Sequence, residues 1–169
     1  MIALRPATLD DLALVERWDE APQVIACDPD RDAWDWPAEL TREPSWREQL
    51  IAELDGRPIG VVQIIDPALE ESHYWGDCGP GLRAIDIWIG EEDCLGQGHG
   101  GEMMRLALAR CFAPPEVTAV IIDPLVTNTG ARRFYERLGF VWEGDRRLGD
   151  SDCAVYRLER ARWAAGSAG

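Results

Sequence analysis

The chain has 169 residues, 46% of them hydrophobic and 28% charged, a balance that builds one globular core and excludes both a disordered chain and separate cofactor and substrate domains. Its 31 Asp and Glu face 17 basic residues, all of them Arg, for a formal net charge of −14. Such a surface repels phosphate backbones and anionic lipid, so neither nucleic acid nor membrane is expected as a partner, and a cationic one is. The excess is uneven: residues 1–80 hold 18 acids and 6 Arg, residues 81–169 hold 13 acids and 11 Arg. No apolar run of about 18 residues exists, and Met1-Ile2-Ala3-Leu4-Arg5-Pro6 lacks a signal-peptide core, so a soluble, cytoplasmic protein is expected. The five Cys (27, 78, 94, 111 and 153) form no Cys-x-x-Cys pair and only His73 and His99 are present; neither disulfides nor a metal is expected.

Ile2 to Arg5 predicts a strand, and Thr8-Leu9-Asp10-Asp11 a helix entry with Thr8 as N-cap, followed by the apolar stripe Leu12, Val15, Trp18. Residues 27–46, rich in Asp, Pro and Trp without period, predict a long loop with at most a helical turn. Leu50 to Leu54 and Ile59 to Ile65 predict a hairpin across Asp55-Gly56. Leu82 to Ile89 reads as a strand leading through residues 90–95 to a glycine cluster. Met103, Met104, Ala107, Leu108, Cys111 and Phe112 then recur at helical spacing up to Pro114-Pro115. Val117 to Ile122 predicts an apolar strand, Asn128 to Leu138 a helix stopped by Gly139, and Phe140 to Glu143 and Cys153 to Leu158 two last strands. This order predicts an α/β (α+β) fold, a mixed sheet with helices packed on it.

Gly96-Gln97-Gly98-His99-Gly100-Gly101 stands between a strand and a helix. A helix N-terminus offers unpaired N–H groups and the positive end of its dipole, and glycines let an anion approach them, so a phosphate group is the expected ligand. A P-loop is excluded because the chain has no Lys. The cluster also satisfies Gly-x-Gly-x-x-Gly. A dinucleotide fold, however, puts that motif at its first strand, and here about 95 residues precede it and about 70 follow. A ligand-free glycine turn is the remaining alternative.

Leu95-Gly96-Gln97-Gly98-His99-Gly100 resembles the acetyl-CoA pyrophosphate loop of the GNAT superfamily of N-acetyltransferases, with Leu95 where most members have Gln or Arg. The companion motif follows in Asp123-Pro124, Asn128, Ala131, Arg132, Phe134-Tyr135 and Leu138-Gly139-Phe140. Asp55-Gly56-Arg57-Pro58-Ile59-Gly60, Gln63, Pro80-Gly81-Leu82-Arg83-Ala84-Ile85-Asp86, Pro115-Glu116-Val117-Thr118 and Ala154-Val155-Tyr156 are similar to the aminoglycoside 6'-N-acetyltransferases. The resemblance covers roughly residues 50–160, and acyltransferases of lysine-derived siderophore amines share such patterns. It implies one GNAT domain over 1–169, with an acceptor-binding half (1–80), an acetyl-CoA-binding half (81–160) and a tail (161–169). The implied sheet has about seven strands and splays between the fourth and fifth.

The implied reaction is direct transfer of acetyl from acetyl-CoA, in a ternary complex and without metal, to a primary amine of a small cationic substrate, foremost the 6'-amine of an aminoglycoside. The alternatives are a siderophore hydroxylysine, a protein N-terminus, or a CoA-binding module without catalysis. An alkylammonium must lose its proton before attack, and Asp86, an acid inside the apolar run Ala84 to Ile89, is the expected base and substrate contact. Its other reading is an acid on a solvent-facing strand position. Tyr135 is the expected proton donor to the CoA sulfur, or else a packing aromatic. Asn128 holds the CoA arm or caps its helix. Trp88 and Ile89, by resemblance, contact the pantetheine and thioester, and residues 95–101 the phosphates. Trp36, Glu71, Tyr74, Asp123 and Asp152 complete the expected substrate site, with Trp34 and Trp75 as further aromatics and residues 28–32 as cover over a polycation or a solvated loop. A monomer or homodimer is expected.

Overall fold

The computed structural model describes residues 1–29 and 34–167. Asp30, Arg31 and Asp32 of the expected acceptor cover lie outside the described residues. In chain order the elements are β1 (Ile2–Pro6), a 3-10 turn (Leu9–Asp11), α1 (Leu12–Asp19), α2 (Pro22–Ile25), α3 (Trp36–Thr41), β2 (Arg47–Leu54), β3 (Arg57–Ile65), β4 (Leu82–Ile89), a second 3-10 turn (Glu92–Cys94), α4 (His99–Phe112), β5 (Ala119–Ile122), α5 (Thr129–Arg137), β6 (Val141–Leu148), β7 (Ser151–Glu159) and α6 (Arg160–Ser167). The strands form one seven-stranded mixed sheet in the order β1-β2-β3-β4-β5-β7-β6, as the GNAT resemblance implied.

The chain divides into two compact units, one of Met1–Ile64 with Asp86–Ala107, the other of Ile65–Ile85 with Leu108–Gly169. The first contains 19 acids and 7 Arg, a balance of 12 negative; the second contains 12 acids and 10 Arg, a balance of 2 negative. The glycine cluster therefore belongs to the acidic unit, whereas the charge profile along the sequence had put it in the near-neutral half.

In the first unit, β1 pairs antiparallel with β2 from Ile2 opposite Leu54 to Pro6 opposite Leu50. The entry to α1 is fixed by Asp11, whose carboxylate accepts the Thr8 N–H at 2.9 Å and two Arg5 guanidinium bonds at 2.7 and 2.8 Å. The Arg5 bonds hold that carboxyl below its ordinary range. The expected stripe of α1 is realised: Val15 and Trp18 are buried with Trp36, Ile51 and Val61 in one apolar cluster. The aperiodic stretch after residue 27 includes α3, which starts at Trp36-Pro37 with Asp35 as its cap, the Asp35 Oδ1 accepting the Ala38 N–H at 3.1 Å.

In the second unit, all four residues of β5 are buried, and β5 pairs antiparallel with β7, which pairs antiparallel with β6. β6 is the sheet edge and carries mostly exposed side chains, with a register shift between Trp142 and Gly144. Its polar second half hid its length in the sequence, because an edge strand needs no apolar face. The expected tail is mostly helix α6. Trp163 stacks on Phe112 at 4.9 Å, and the Arg160 guanidinium donates to the carbonyls of Val117 (2.8 Å) and Pro114 (2.6 Å).

Candidate active site

β4 and β5 run parallel only from Leu82 opposite Ala119 to Ala84 opposite Ile121, while β4 continues to Ile89. Asp86 thus lies two residues past the last pair, half-buried, on a strand that has parted from its neighbour. The splay implied between the fourth and fifth strands is present in this register. At the far end of β4 the N–H groups of Gly90 and Glu91 both donate to the Ile59 carbonyl, at 2.9 and 3.3 Å, the bonding pattern of a bulge.

The loop from that bulge to the glycine cluster is tightly held. The Glu91 carboxylate accepts the Trp18 indole N–H at 2.8 Å and guanidinium bonds from Arg17 and Arg57, and Arg17 is the main reason its pKa lies below the ordinary carboxylate range. Arg57 also bridges both oxygens of Asp93 at 2.8 and 3.0 Å, and Gln97 donates its amide to the Asp93 carbonyl. Gly96 (φ 71°) and Gly98 (φ 86°) then take left-handed conformations that side chains disfavour. A methyl group built at Gly96, Gly98 or Gly101 would meet nothing within 4 Å, so the space over this turn is open. Gly101 and Glu102 donate back to the Gly98 carbonyl, starting the 14-residue α4. A rigid, open glycine turn on a helix N-terminus fits the diphosphate of a coenzyme.

Tyr135 lies on α5 and is 9% exposed, packed edge-on against Phe134 (5.2 Å) and Phe140 (5.8 Å). The helix under it is fixed at two levels. Asn128 caps it, its Oδ1 accepting the Ala131 N–H at 3.1 Å. One turn further on, Arg132 and Glu136 grip the same buried hydroxyl of Tyr156, Arg132 Nε donating to it at 3.1 Å and the hydroxyl donating to Glu136 at 2.7 Å. This brace was not legible in the sequence, although the i, i+4 spacing of Arg132 and Glu136 on one helix face is the signal that points to it. Removing the cap in Asn128→Ala is expected to cost about 1 kcal/mol, read as a lower urea midpoint with an unchanged slope.

The other expected site residues separate into distinct environments. Tyr74 and Asp123 meet: the phenol donates to Asp123 Oδ2 at 2.9 Å. Glu71 is exposed. Asp152 pairs with Arg147 at 3.1 Å, both well exposed, an interaction worth at most about 1 kcal/mol. Trp36 is a core residue, 2% exposed, its indole N–H bound to Asp19 and its ring tilted against Trp88 at 6.4 Å. Trp36, expected in the substrate site, instead packs in the core with its ring almost wholly covered. Trp34 is more exposed and lies 6.0 Å from the Arg47 guanidinium.

Comparison with known proteins defines the class. Residues 7–148 match the family model described as an acetyltransferase (GNAT) domain, and the chain belongs to this family. It is an acetyl-CoA-dependent N-acetyltransferase. Among individual relatives, it is 30% identical over 166 residues to an aminoglycoside N(6')-acetyltransferase type 1 of Klebsiella pneumoniae, covering 94% of this chain and 82% of that protein. A lysine N-acyltransferase MbtK of Mycolicibacterium paratuberculosis is 30% identical over 173 residues, covering 93% of this chain and 73% of that protein. The crystal structure of aminoglycoside acetyltransferase AAC(6')-Ib with coenzyme A and kanamycin superimposes with a TM-score of 0.87 at 27% identity, covering 99% of each chain. Among the described residues no helix is long and apolar enough to cross a membrane, and no group of three or more His, Cys, Asp or Glu is arranged to hold a metal ion.

Proposed function

We propose that this enzyme acetylates the 6'-amine of an aminoglycoside, or of a closely similar polyamine, by direct attack in a ternary complex. One observation carries the reading: within a single stretch, Asp86–Ala107, a strand that has left its neighbour bears a half-buried carboxylate and leads directly into an open glycine turn and helix N-terminus. Bound acetyl-CoA supplies an activated acyl group as a thioester. Backbone N–H groups of residues 96–100 hold its diphosphate, and the stretch of β4 at Trp88 and Ile89, past the last pair with β5, receives the pantetheine arm. Asp86 takes the proton of the incoming ammonium, directly or through water, because only the neutral amine attacks. Tyr135 donates its phenolic proton toward the departing sulfur, and Asp123 with Tyr74 binds a further ammonium of the acceptor. The relationship to aminoglycoside acetyltransferases at about 30% identity supports the choice of acceptor. The similarity to lysine N-acyltransferases supports a second acceptor, the side-chain amine of a lysine derivative.

The discriminating experiment measures thiol release from acetyl-CoA with a panel of amines. Aminoglycosides bearing a 6'-amine are expected to be turned over, while congeners with a 6'-hydroxyl are expected to be inert, and NMR of the product should place the acetyl group on the 6'-nitrogen. Preferred turnover of hydroxylysine or of N-terminal peptides would replace the acceptor assigned here. Binding of CoA with no acetylation of any amine would point to a module without catalysis.

A further inference from the structure

The contact between Tyr74 and Asp123 has a built architecture around it. Glu70 organises the preceding turn, its carboxylate accepting the N–H of Ser72 at 2.8 Å, the Ser72 hydroxyl at 2.9 Å and the N–H of Tyr74 at 3.0 Å. His73 takes a left-handed φ of 53°, and its carbonyl accepts the Gly76 N–H at 2.8 Å. The Tyr74 ring packs edge-on against the buried Trp75 at 4.8 Å, and Gly149 approaches its other side closely enough that a Cβ there would lie 3.6 Å from the ring. Asp123 follows directly after β5, and the segment beyond it is strapped to β7: the Ala154 N–H donates to the Pro124 carbonyl at 2.8 Å and the Val126 N–H to the Asp152 carbonyl at 2.9 Å. The phenol spans two separately immobilised segments, with the Cys153 sulfur 4.0 Å from its oxygen. Burial and the neighbouring Asp123 carboxylate push the Tyr74 pKa upward, so the phenol remains a donor.

We infer that Tyr74 is a positioning residue that sets acceptor specificity: by holding the Asp123 carboxylate through Oδ2, it orders that carboxylate in advance for a second ammonium of the acceptor and so favours polycations over monoamines. A carboxylate free to rotate must be ordered when the substrate binds, and one held in advance by a rigid donor avoids that cost. The inference rests on the acceptor reading given above. It differs from a direct substrate contact, because the Tyr74 hydroxyl acts through Asp123.

The test compares Tyr74→Phe, Asp123→Asn and the double variant, all three keeping the side-chain volume and the ring contacts with Trp75. Calorimetric binding of kanamycin in the presence of CoA is measured alongside turnover of kanamycin and of a simple monoamine. Each single variant is expected to weaken kanamycin binding and raise its KM about tenfold, and to raise the KM for the monoamine by less, so that the preference for kanamycin over the monoamine falls. The double variant is expected to be no worse than Asp123→Asn alone, since one interaction is removed twice. Kanamycin binding by Tyr74→Phe within twofold of the native protein, or a double variant showing the product of the two single effects, overturns the inference. A native protein that binds kanamycin and does not acetylate it counts against the acceptor reading only, and the binding comparison still decides the role of Tyr74. Absence of kanamycin binding by the native protein overturns the inference.

Discussion

Asp86→Asn is expected to lower kcat by about 10²- to 10⁴-fold while leaving the KM for acetyl-CoA nearly unchanged, as measured by steady-state thiol release. The two side chains have the same size and shape, so β4 and the turn that follows it keep their geometry. What the amide lacks is basicity. An alkylammonium substrate is almost fully protonated at neutral pH, and the variant leaves the small neutral fraction to react alone. The rate of the variant should therefore climb about tenfold per pH unit toward the amine pKa, and the native rate should rise less steeply. A variant of native rate would show that Asp86 is only a half-exposed acid on a parted strand. Tyr135→Phe distinguishes the proton donor in the same assay: it keeps the ring packing against Phe134 and Phe140 and removes only the hydroxyl.

Gly90→Ala is expected to destabilise the fold by about 3 kcal/mol, on the order of 10 °C in Tm. A Cβ at this position would fall 2.1 to 2.3 Å from three atoms of the Trp18 ring. Trp18 cannot yield, being fully buried in the cluster with Val15, Trp36, Ile51 and Val61 and tied through its indole N–H to Glu91. Nor can the backbone yield, because the Gly90 and Glu91 N–H groups are both committed to the Ile59 carbonyl. Gly101→Ala is the matched control. Its Cβ meets nothing within 4 Å, and its position in α4 suits alanine, so stability is expected to hold or rise by about 0.5 kcal/mol. Equal losses in both variants, read by thermal melting, would contradict the packing argument.

Tightness near the site has a structural purpose. Trp18, Glu91, Arg57 and Asp93 link α1, the β2–β3 hairpin and the loop before the glycine turn, so that the approach to the turn is fixed by side chains of two other elements. On the second unit the Arg132–Tyr156–Glu136 brace does the same for the helix bearing Tyr135. Preorganisation of this kind spends folding energy so that binding and catalysis need not.

Several features were legible because they are local. β4 was read to the residue from an apolar run bounded by Gly81 and Gly90, and Asp55-Gly56 marked the β2–β3 hairpin through turn chemistry. The apolar stripe of α4 and the cap at Asn128 were equally readable, since spacing and side-chain oxygens act within a few residues. β6 was read too short, because an edge strand carries polar residues on both faces. α6 was missed because its order depends on Trp163 meeting Phe112 and Arg160 meeting carbonyls more than forty residues earlier.

Two classes of information therefore separate. The sequence by itself determined the family, the glycine turn, the strand that carries Asp86 and the helix that carries Tyr135, since each is written in contiguous residues whose conformational preferences act locally. Only the tertiary structure decided that Trp36 is core, that Asp123 is held by Tyr74, that Gly90 exists to admit Trp18, and that the glycine turn belongs to the acidic unit. Those outcomes depend on which distant segments share a surface. Side-chain burial and long-range hydrogen bonds are fixed by that juxtaposition, and no spacing along the chain encodes it.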